Sequence, residues 1–264
     1  MDLHLKNKIV IVTGGSEGIG KAAAWRFSSE KAIVIICGRR LSVLEQTANS
    51  IQLQTGVDVT PIVADVNKPE QLKSMVDQII RTFGRIDVLV NNAGTAAGKK
   101  FDQVTDPEWY HDIDLKLMAA VRTSKLVIPY MKKQGAGRII NITHVGGKAP
   151  GSNSSPSSVT RAAGIALTKA MSKDYAKDNI LVNTVCVGFL KADQHKRAHA
   201  KRQTSSKSPI TLKQWYIERG QSVPLGRVGE SHEAGDVIVF LASDMASYVT
   251  GTSINVDGGA GATV

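Results

Sequence analysis

The sequence predicts one α/β domain in which a parallel β-sheet is covered by helices on both faces. Three observations support this fold class. Short apolar runs alternate with stretches of helical periodicity, a glycine-rich turn directly follows the first apolar run, and no linker or internal repeat divides the 264 residues. Most apolar runs are unbroken, which is typical of strands that are buried on both faces. We therefore expect a single doubly wound, three-layer α/β/α domain over residues 1–264.

Strands are predicted from the apolar runs, and helices from apolar side chains that recur every three to four residues. In chain order, strands are expected at 8–13, 32–37, 57–63, 86–90, 138–142, 180–185 and 253–256. Helices are expected after the first strand up to about residue 29, from about residue 41, and over 69–82, 107–133 and 157–177. Pro69 suits a first helical turn, whereas Pro129 predicts a kink or a break within its helix.

Residues 190–220 depart from this pattern because they are polar and strongly basic. The cationic side chains of this segment include Lys191, Lys196, Arg197, Lys201, Arg202, Lys207 and Lys213. A segment that leaves the carboxyl end of a strand in an open α/β sheet lies over the ligand crevice. We interpret residues 190–220 as a lid over a substrate site, with a mobile solvated insertion as the alternative.

Composition limits the class of partner and the compartment. The net charge of +10 is compatible with nucleic acid, an anionic membrane surface, acidic small molecules or simply a basic solvated surface. No motif for base readout is present, so nucleic acid is not an expected partner. No signal peptide or run of membrane length is found. Cys37 and Cys186 lie in apolar runs, which favours a reduced cytoplasmic protein, and no Cys/His cluster predicts a metal site.

The turn TGGSEGIG, at residues 13–20, predicts a dinucleotide site because it joins a strand to a helix. Glycine lets backbone N–H groups approach a phosphate closely, and the following helix N-terminus adds a partial positive charge. The predicted cofactor-binding residues of this turn are Gly14, Ser16, Gly18, Ile19 and Gly20.

The end of the second strand distinguishes NADP from NAD. An acidic residue there would bind the ribose 2′-hydroxyl, but this chain has Gly38, Arg39 and Arg40. Arg39 is predicted to pair with a 2′-phosphate through its planar guanidinium group. Glu17 adds negative charge nearby and argues weakly for NAD. NADP is therefore the expected cofactor, with NAD as the alternative.

Several motifs together resemble the short-chain dehydrogenase/reductase family, at the size of the bacterial ketoacyl reductases. They are TGGSEGIG, Asp65-Val66, the run NNAG at 91–94, RIINI at 138–142 and the ending GTSINVDGG. The resemblance implies a sheet of seven parallel strands and usually a homotetramer, with a homodimer as the alternative. It also implies that Asp65 and Val66 flank the adenine and that Asn92, Ala93 and Gly94 line the cofactor.

The chemistry of that family uses a Tyr, a Lys four residues later, a Ser and an Asn, and this chain departs from all four. The run RAAGIALTKA resembles the segment around the family's Lys and aligns Arg161 with it, which aligns Ser157 with the Tyr. In RIINITHVGG, His144 falls in the Ser position, and the local context aligns Lys116 with the Asn. These four residues are the candidate catalytic residues.

The chemistry of each side chain suggests a role and a simpler alternative. His144 is the best acid–base candidate, and Ser157 is expected to hydrogen-bond substrate or ribose. Arg161 would hold ribose hydroxyls, and Lys116 would return an ammonium to the region. The alternatives are a loop histidine, a helix N-cap, an arginine bound to solvent or a carbonyl, and a surface lysine. If the fold brings the four together, their charge favours an anionic small molecule such as a carboxylate or an acyl thioester.

Three functions remain open at this point. The first is an NADP(H)-dependent oxidoreductase that transfers hydride to or from a carbonyl or alcohol, with His144 as acid–base group and Lys116 or Arg161 stabilising the oxyanion. The second is a nucleotide-binding sensor or scaffold, which the loss of all four usual catalytic types suggests. The third is non-redox chemistry on the same fold, such as elimination or isomerisation.

Overall fold

Seven strands form a single parallel sheet, as the sequence predicts. The structure, a computed structural model, describes residues 2–205 and 210–263. Its strands are β1 (Ile9–Thr13), β2 (Ile33–Gly38), β3 (Val59–Val63), β4 (Val88–Asn91), β5 (Gly98–Lys99), β6 (Gly137–His144), β7 (Ser155–Pro156), β8 (Ile180–Val187) and β9 (Ser253–Val256). The large sheet has the order β3-β2-β1-β4-β6-β8-β9, and β5 pairs with β7 in a separate antiparallel ribbon. The strand order reverses between β1 and β4, so a ligand crevice is expected at their carboxyl ends.

Helices cover both faces of this sheet, which confirms the predicted fold class. In chain order they are α1 (Gly18–Ser29), α2 (Leu41–Thr55), α3 (Pro69–Phe83), α4 (Asp106–Ile113), α5 (Ala119–Gln134), α6 (Ser157–Asp174), α7 (Asp193–Ser205), α8 (Leu212–Gly220) and α9 (Ser231–Ala242). A π-helical turn, Asp114–Met118, connects α4 to α5. None of the described helices is long and apolar enough to cross a membrane.

The core consists of two apolar clusters, one on each face of the sheet. Val10 and Val12 of β1 belong to one cluster, which also holds Phe27 of α1 and residues of α2 and α9. Ile9 and Ile11 belong to the other cluster, which holds residues of α3, α5 and α6. Successive side chains of a strand point to opposite faces, so an unbroken apolar strand supplies both clusters.

Of the predicted kink or break at Pro129, the break is wrong, because α5 continues through Pro129 to Gln134. Pro129 and Lys125 both lie on the exposed face of the helix, so water can bond the carbonyl of Lys125 that the missing N–H leaves free. The irregularity lies earlier, in the π-helical turn. The predicted helix over 157–177 ends at Asp174, and a short 3-10 turn, Ala176–Asp178, precedes β8. Helices α7, α8 and α9 were not predicted.

Candidate active site

One cleft of about 470 Å³ opens at the carboxyl edge of the sheet, where the strand order reverses. All predicted cofactor residues except Gly20 line it. They are Gly14, Ser16, Gly18, Ile19, Arg39, Asp65, Val66, Asn92, Ala93 and Gly94. Three of the four candidate catalytic residues also line the cleft: His144, Ser157 and Arg161. Lys116 lies behind Ser157, as described below.

The backbone of the glycine-rich turn, residues 14–20, forms a cradle for an anion. Close packing leaves no room for side chains at Gly14 and Gly20 of this cradle. Gly14 has a φ of 63°, and a Cβ atom on it would lie 3.0 Å from Cα of Ala93. A Cβ atom on Gly20 would collide with the carbonyl oxygen of Gly14, so Gly20 packs beneath the turn and does not line the cleft. Glu17 is the N-cap of α1 but makes no capping hydrogen bond. The N–H of Gly18 donates to Asp193, and the remaining first-turn N–H groups are available to an anion, which fits the pyrophosphate of a dinucleotide.

Asn92 contributes to the cradle by holding the turn in place. Its side-chain amide donates hydrogen bonds to the carbonyl oxygens of Thr13 (2.9 Å) and Gly14 (3.0 Å). Oγ1 of Thr13 accepts from the backbone N–H groups of Asn92 and Ala93 and donates to the carbonyl oxygen of Val90. Because its amide group is bonded to the turn, Asn92 positions the cradle through its side chain. Sequence reasoning missed Thr13.

Arg39 and Glu17, which gave opposite indications for the cofactor, differ in their environments. Arg39 is exposed at the mouth of the cleft. The carboxylate of Glu17 pairs with the guanidinium of Arg40 at 2.6 Å and with that of Arg197 at 3.1 Å. Two guanidinium groups thus neutralise Glu17, the residue whose negative charge argued against NADP. Ion pairs this exposed contribute little to the stability of the fold.

Helix α7 borders the cleft, and its first residue reaches the glycine-rich turn. Oδ2 of Asp193 accepts a hydrogen bond from the backbone N–H of Gly18 at 3.2 Å. The ring of Phe189 stacks on that of His195 with a centroid distance of 4.2 Å, and both side chains line the cleft. Of the predicted basic segment, Lys207 and the side chains of Lys201 and Arg202 lie outside the described residues. Sequence reasoning did not identify Asp193 as a residue of the cleft, although an acidic residue within a basic segment could have indicated it.

A chain of hydrogen bonds links Ser157 to two buried residues of the opposite wall. Oγ of Ser157 accepts from Nζ of Lys116 at 2.6 Å and from the backbone N–H of Ala97 at 3.1 Å. Nζ of Lys116 also donates to Oδ1 of Asp112. The side chains of Lys116 and Asp112 are 1% and 3% exposed, so the surface-lysine alternative is wrong. The π-helical turn carries Lys116 into this position.

Asp112 is the functional candidate that sequence reasoning missed. It stands four residues before Lys116, and this spacing places two helical side chains on one face. Its second carboxylate oxygen, Oδ2, is buried and has no hydrogen-bond partner among residues 2–205 and 210–263. A buried carboxylate is costly unless it is paired, so Asp112 and Lys116 depend on each other.

Burial lowers the pKa values of the cationic groups of the site, and the charge of Arg161 adds to this at Lys116 and His144. Burial lowers the pKa of Lys116 to about 8, although the hydrogen bond that Lys116 donates to Asp112 raises it, and the charge of Arg161 contributes to the lowering. Burial also lowers the pKa of Arg161 to about 10. Burial and then the charge of Arg161 lower the pKa of His144, whose Nδ1 accepts from the N–H of Gly146 at 2.9 Å. His144 is therefore neutral at pH 7, and this contact assigns its hydrogen to Nε2.

Arg161 lies at the centre of the site. Its guanidinium donates to the carbonyl oxygen of Ile142 at 2.6 Å and lies against Gly94, where a Cβ atom would be 2.8 Å from Nη2. Within the described chain no carboxylate forms an ion pair with Arg161. The site thus holds a partly buried cation with unused donors beside Gly94, a predicted cofactor residue.

The doubly wound sheet and the anion cradle at its switch point define a dinucleotide-binding protein of the Rossmann type. A family model described as enoyl-(acyl carrier protein) reductase matches residues 14–261. The chain belongs to the short-chain dehydrogenase/reductase family.

Relatives within this family act on different substrates. The chain is 34% identical over 260 residues to the 3-oxoacyl-(acyl-carrier-protein) reductase FabG of Thermotoga maritima, which covers 97% of this chain and 99% of the relative. It is 33% identical over 264 residues to a 3alpha-hydroxysteroid dehydrogenase of Mediterraneibacter gnavus, covering 98% and 99%. The solved structure of L-sorbose reductase from Gluconobacter frateurii, complexed with NADPH and L-sorbose, has a TM-score of 0.95 at 30% identity and covers all of both chains.

Proposed function

We propose that the protein is an NADP(H)-dependent oxidoreductase that transfers hydride to or from a carbonyl or alcohol of a small molecule. The observation that carries this proposal is that His144, Ser157 and Arg161 line the same cleft as the anion cradle. L-sorbose reductase, which was solved with NADPH, supports the choice of cofactor. When bound, the dinucleotide supplies or accepts the hydride through its nicotinamide ring.

Four residues of this chain would take the places of the family's usual Asn, Ser, Tyr and Lys: Lys116, His144, Ser157 and Arg161. No tyrosine is among the cleft-lining residues that the structure describes. The environment of His144 favours a hydrogen-bond donor over the acid–base role that the sequence suggested, because the lowered pKa leaves it neutral. Its Nε2–H would polarise the carbonyl oxygen of the substrate.

Arg39 would bind the 2′-phosphate of NADP, because it is exposed at the mouth of the cleft and makes no ion pair among the described residues. Its neighbour Arg40 is already paired with Glu17. The cradle amides would hold the pyrophosphate, and Asp65 and Val66 would flank the adenine.

The substrate class that we propose is an anionic small molecule, such as a ketoacid or an acyl thioester with a charged carrier. Arg161 supports it, because a partly buried guanidinium without an ion pair in the described residues can bond a ligand anion with its unused donors. Residues 190–220 would act as the lid, since Ala192, Gln194 and His195 line the cleft.

The assembly and compartment that we propose also follow the family. A homotetramer, or a homodimer, would bury large exposed side chains such as Phe101 and Tyr110 around α4. The cytoplasm fits the two cysteines, Cys37 and Cys186, which are both free and buried.

The test is cofactor binding followed by turnover. NADPH affinity is measured by calorimetry, and the loss of nicotinamide absorbance is then followed with a panel of ketones and ketoacids. We expect binding and turnover, with ketoacids favoured over uncharged ketones. An Arg161→Met variant purified in the same way is the control, because a contaminating reductase would be equally active in both preparations. Tight NADPH binding without turnover would instead favour the sensor or the non-redox alternative.

A further inference from the structure

The hydroxyl group of Ser157 is arranged as a donor toward the cleft. A serine oxygen accepts two hydrogen bonds and donates one. Both acceptor positions of Ser157 are used, by Nζ of Lys116 and by the N–H of Ala97. In the part of the chain that the structure describes, no group accepts its hydrogen, and Ser157 lines the cleft. The free hydrogen is therefore available to the oxygen of a substrate.

The group behind Ser157 can replace a proton that the hydroxyl gives away. Nζ of Lys116 carries three hydrogens when it is charged. One of them is directed at Oγ of Ser157 and another at Oδ1 of Asp112. Because Lys116 and Asp112 are almost fully buried, the ammonium exchanges hydrogen bonds with protein groups rather than with bulk water.

We propose that Asp112, Lys116 and Ser157 form a proton relay for carbonyl reduction. Ser157 is the catalytic residue that donates to the substrate, Lys116 is the proton source behind it, and Asp112 is a positioning residue that holds Lys116. This relay rests on the proposed function, because it supplies the proton that completes the reduction.

The relay balances in atoms and charge. Bound NADPH would supply the hydride to the carbonyl carbon, and the electron pair of the carbonyl bond would move to the oxygen. That oxygen would take the proton of Ser157 as the O–H bond of Ser157 breaks, which forms the hydroxyl of the product. A proton of Lys116 moves to Oγ of Ser157 at the same time, so no free alkoxide is left on the serine. Lys116 becomes a neutral amine. After the product leaves, a proton from water in the cleft restores the ammonium by way of the Ser157 hydroxyl, which lines the cleft and bonds Lys116.

Burial makes Lys116 a better acid than an exposed lysine by lowering its pKa, and the charges around it act in both directions. Asp112 on α4 faces it and favours the ammonium, whereas Arg161 on α6 disfavours it. His144 at the end of β6 is also within the same group of charges and is neutral at pH 7. The pKa of about 8 that burial produces lies close to working pH, which is the range in which a general acid is most effective.

The first test is the pH profile of kcat/KM for reduction, from about pH 6 to about pH 10. Reduction needs the charged form of Lys116, so we expect the rate to fall tenfold per pH unit above about pH 8. Ser157→Ala and Lys116→Met should each lose about 100-fold or more, the usual worth of a general acid. Ser157→Thr, which keeps a hydroxyl, should recover part of the loss. Asp112→Asn should move the fall to lower pH.

Matched controls separate this role from a general loss of structure. Ser152→Ala and Lys125→Met remove a hydroxyl and an ammonium from exposed positions outside the cleft. Both should keep the wild-type rate and pH profile. A wild-type protein that reduces a carbonyl, together with a Ser157→Ala variant of unchanged rate and profile, would overturn the relay and leave the proposed function intact. A wild-type protein without any turnover would overturn both.

The second test needs no turnover. Lysine labelled with carbon-13 at Cε is incorporated, and the resonance that is lost in Lys116→Met is titrated by NMR in the protein with and without NADPH. We expect a midpoint near pH 8 in the unliganded protein. Ser157→Ala should lower the midpoint, because it removes a hydrogen-bond acceptor of the ammonium. A midpoint above pH 10, or one that Ser157→Ala leaves unchanged, would contradict the relay.

Discussion

At the scale of single residues, the arginines of the cleft differ in what they are free to bind. Arg40 and Arg197 both pair with Glu17, whereas Arg39 is exposed beside them. Arg161 is partly buried and donates a hydrogen bond to the carbonyl oxygen of Ile142. A guanidinium without a protein carboxylate presents its donors to a ligand phosphate or carboxylate. The proposed function therefore predicts two anion positions, one at Arg39 for the cofactor and one at Arg161 for the substrate.

The first prediction concerns Arg39. Arg39→Ala should weaken NADPH binding by about tenfold or more, because a hydrogen bond to a charged group contributes about 1.5–3 kcal/mol. NADH binding should change little, since NADH has no 2′-phosphate. Calorimetry with both nucleotides measures the two affinities. Arg40→Ala removes the same charge from the adjacent position and is the control. Its effects on NADPH binding and on NADH binding should differ less from each other than those of Arg39→Ala. Equal losses for NADPH and NADH in Arg39→Ala would show that Arg39 does not bind the phosphate.

Residue types in the site were predictable, but their partners were not. The sequence identified His144, Ser157, Arg161 and Lys116 because they stand where a familiar pattern has other residues. Nothing in the sequence indicates that the N–H of Gly146 donates a hydrogen bond to the ring of His144, or that Arg161 donates one to the carbonyl oxygen of Ile142. These contacts decide protonation and hydrogen-bond direction, so the roles of the residues could be argued only from the structure.

At the scale of elements, the turn between β1 and α1 depends on the absence of a side chain at Gly20. A Cβ atom there meets backbone of the same turn, which cannot rotate away as a flexible side chain can. The backbone must therefore shift, and with it the amides that form the cradle.

The second prediction follows from this contact. Gly20→Ala should lower the free energy of unfolding by about 1–3 kcal/mol, the usual cost of overpacking, and should abolish NADPH binding. Urea unfolding and calorimetry measure the two effects. Gly151→Ala is the control, because a Cβ atom on Gly151 has nothing within 4 Å. A Gly20→Ala variant that binds NADPH like the wild type would show that the turn does not hold the cofactor.

The third prediction concerns the contact between α7 and α1. The carboxylate of Asp193 lies on the N–H of Gly18, at a helix end that also attracts phosphate. Asp193→Asn keeps the shape but removes the negative charge, so NADPH should bind up to about fivefold more tightly, equivalent to about 1 kcal/mol. Calorimetry at low salt measures the change. Asp77→Asn, on the outer surface of α3 and paired with Lys73, should bind as the wild type does. Weaker binding by Asp193→Asn would instead indicate that the contact orders the cradle.

The elements differ in how well the sequence predicted them. Strands such as β9 were located to the residue, because unbroken apolar runs have few alternatives. Helix α9 was missed because its apolar residues run without a break from Val237 to Ala242 and include the exposed Phe240, so the sequence shows no clear helical spacing. The π-helical turn was also missed, since an extra residue in a helical turn leaves no composition signal. Prolines usually indicate turns and helix breaks, yet Pro129 lies within α5. Its face of the helix is exposed, so water can bond the carbonyl group that the missing N–H leaves free.

At the scale of the whole molecule, the topology alone brings the site together. The carboxyl ends of β1, β4 and β6 lie at one edge of the parallel sheet, so the residues that follow them meet. The sequence therefore predicted both the fold and the approximate position of the cleft. The burial of the ion pair between Lys116 and Asp112 could not be predicted from the sequence, because this burial depends on how α6 packs over the π-helical turn.

The fold keeps this buried ion pair although it is costly. The folded pKa of Lys116 is about 8, below the ordinary value of 10.5. The unfolded chain therefore holds this proton more tightly than the folded chain between about pH 8 and about pH 10.5. Its contribution to the free energy of unfolding should rise with pH across that window and be least favourable below pH 8. A group that disfavours folding at neutral pH is retained for another reason, which the relay supplies.

The fourth prediction separates that reason from stability. Lys116→Met should lower the free energy of unfolding by about 3 kcal/mol at pH 7, because Asp112 is left buried and unpaired. Adding Asp112→Asn to the same chain removes the second charge and should restore stability to within about 1 kcal/mol of the wild type. Urea unfolding measures both variants, with Lys125→Met as the control, and the pH-dependent rise should vanish in the double variant. If NADPH-dependent reduction stays lost while stability returns, the pair serves the reaction; recovery of both would mean that Lys116 matters only to the fold.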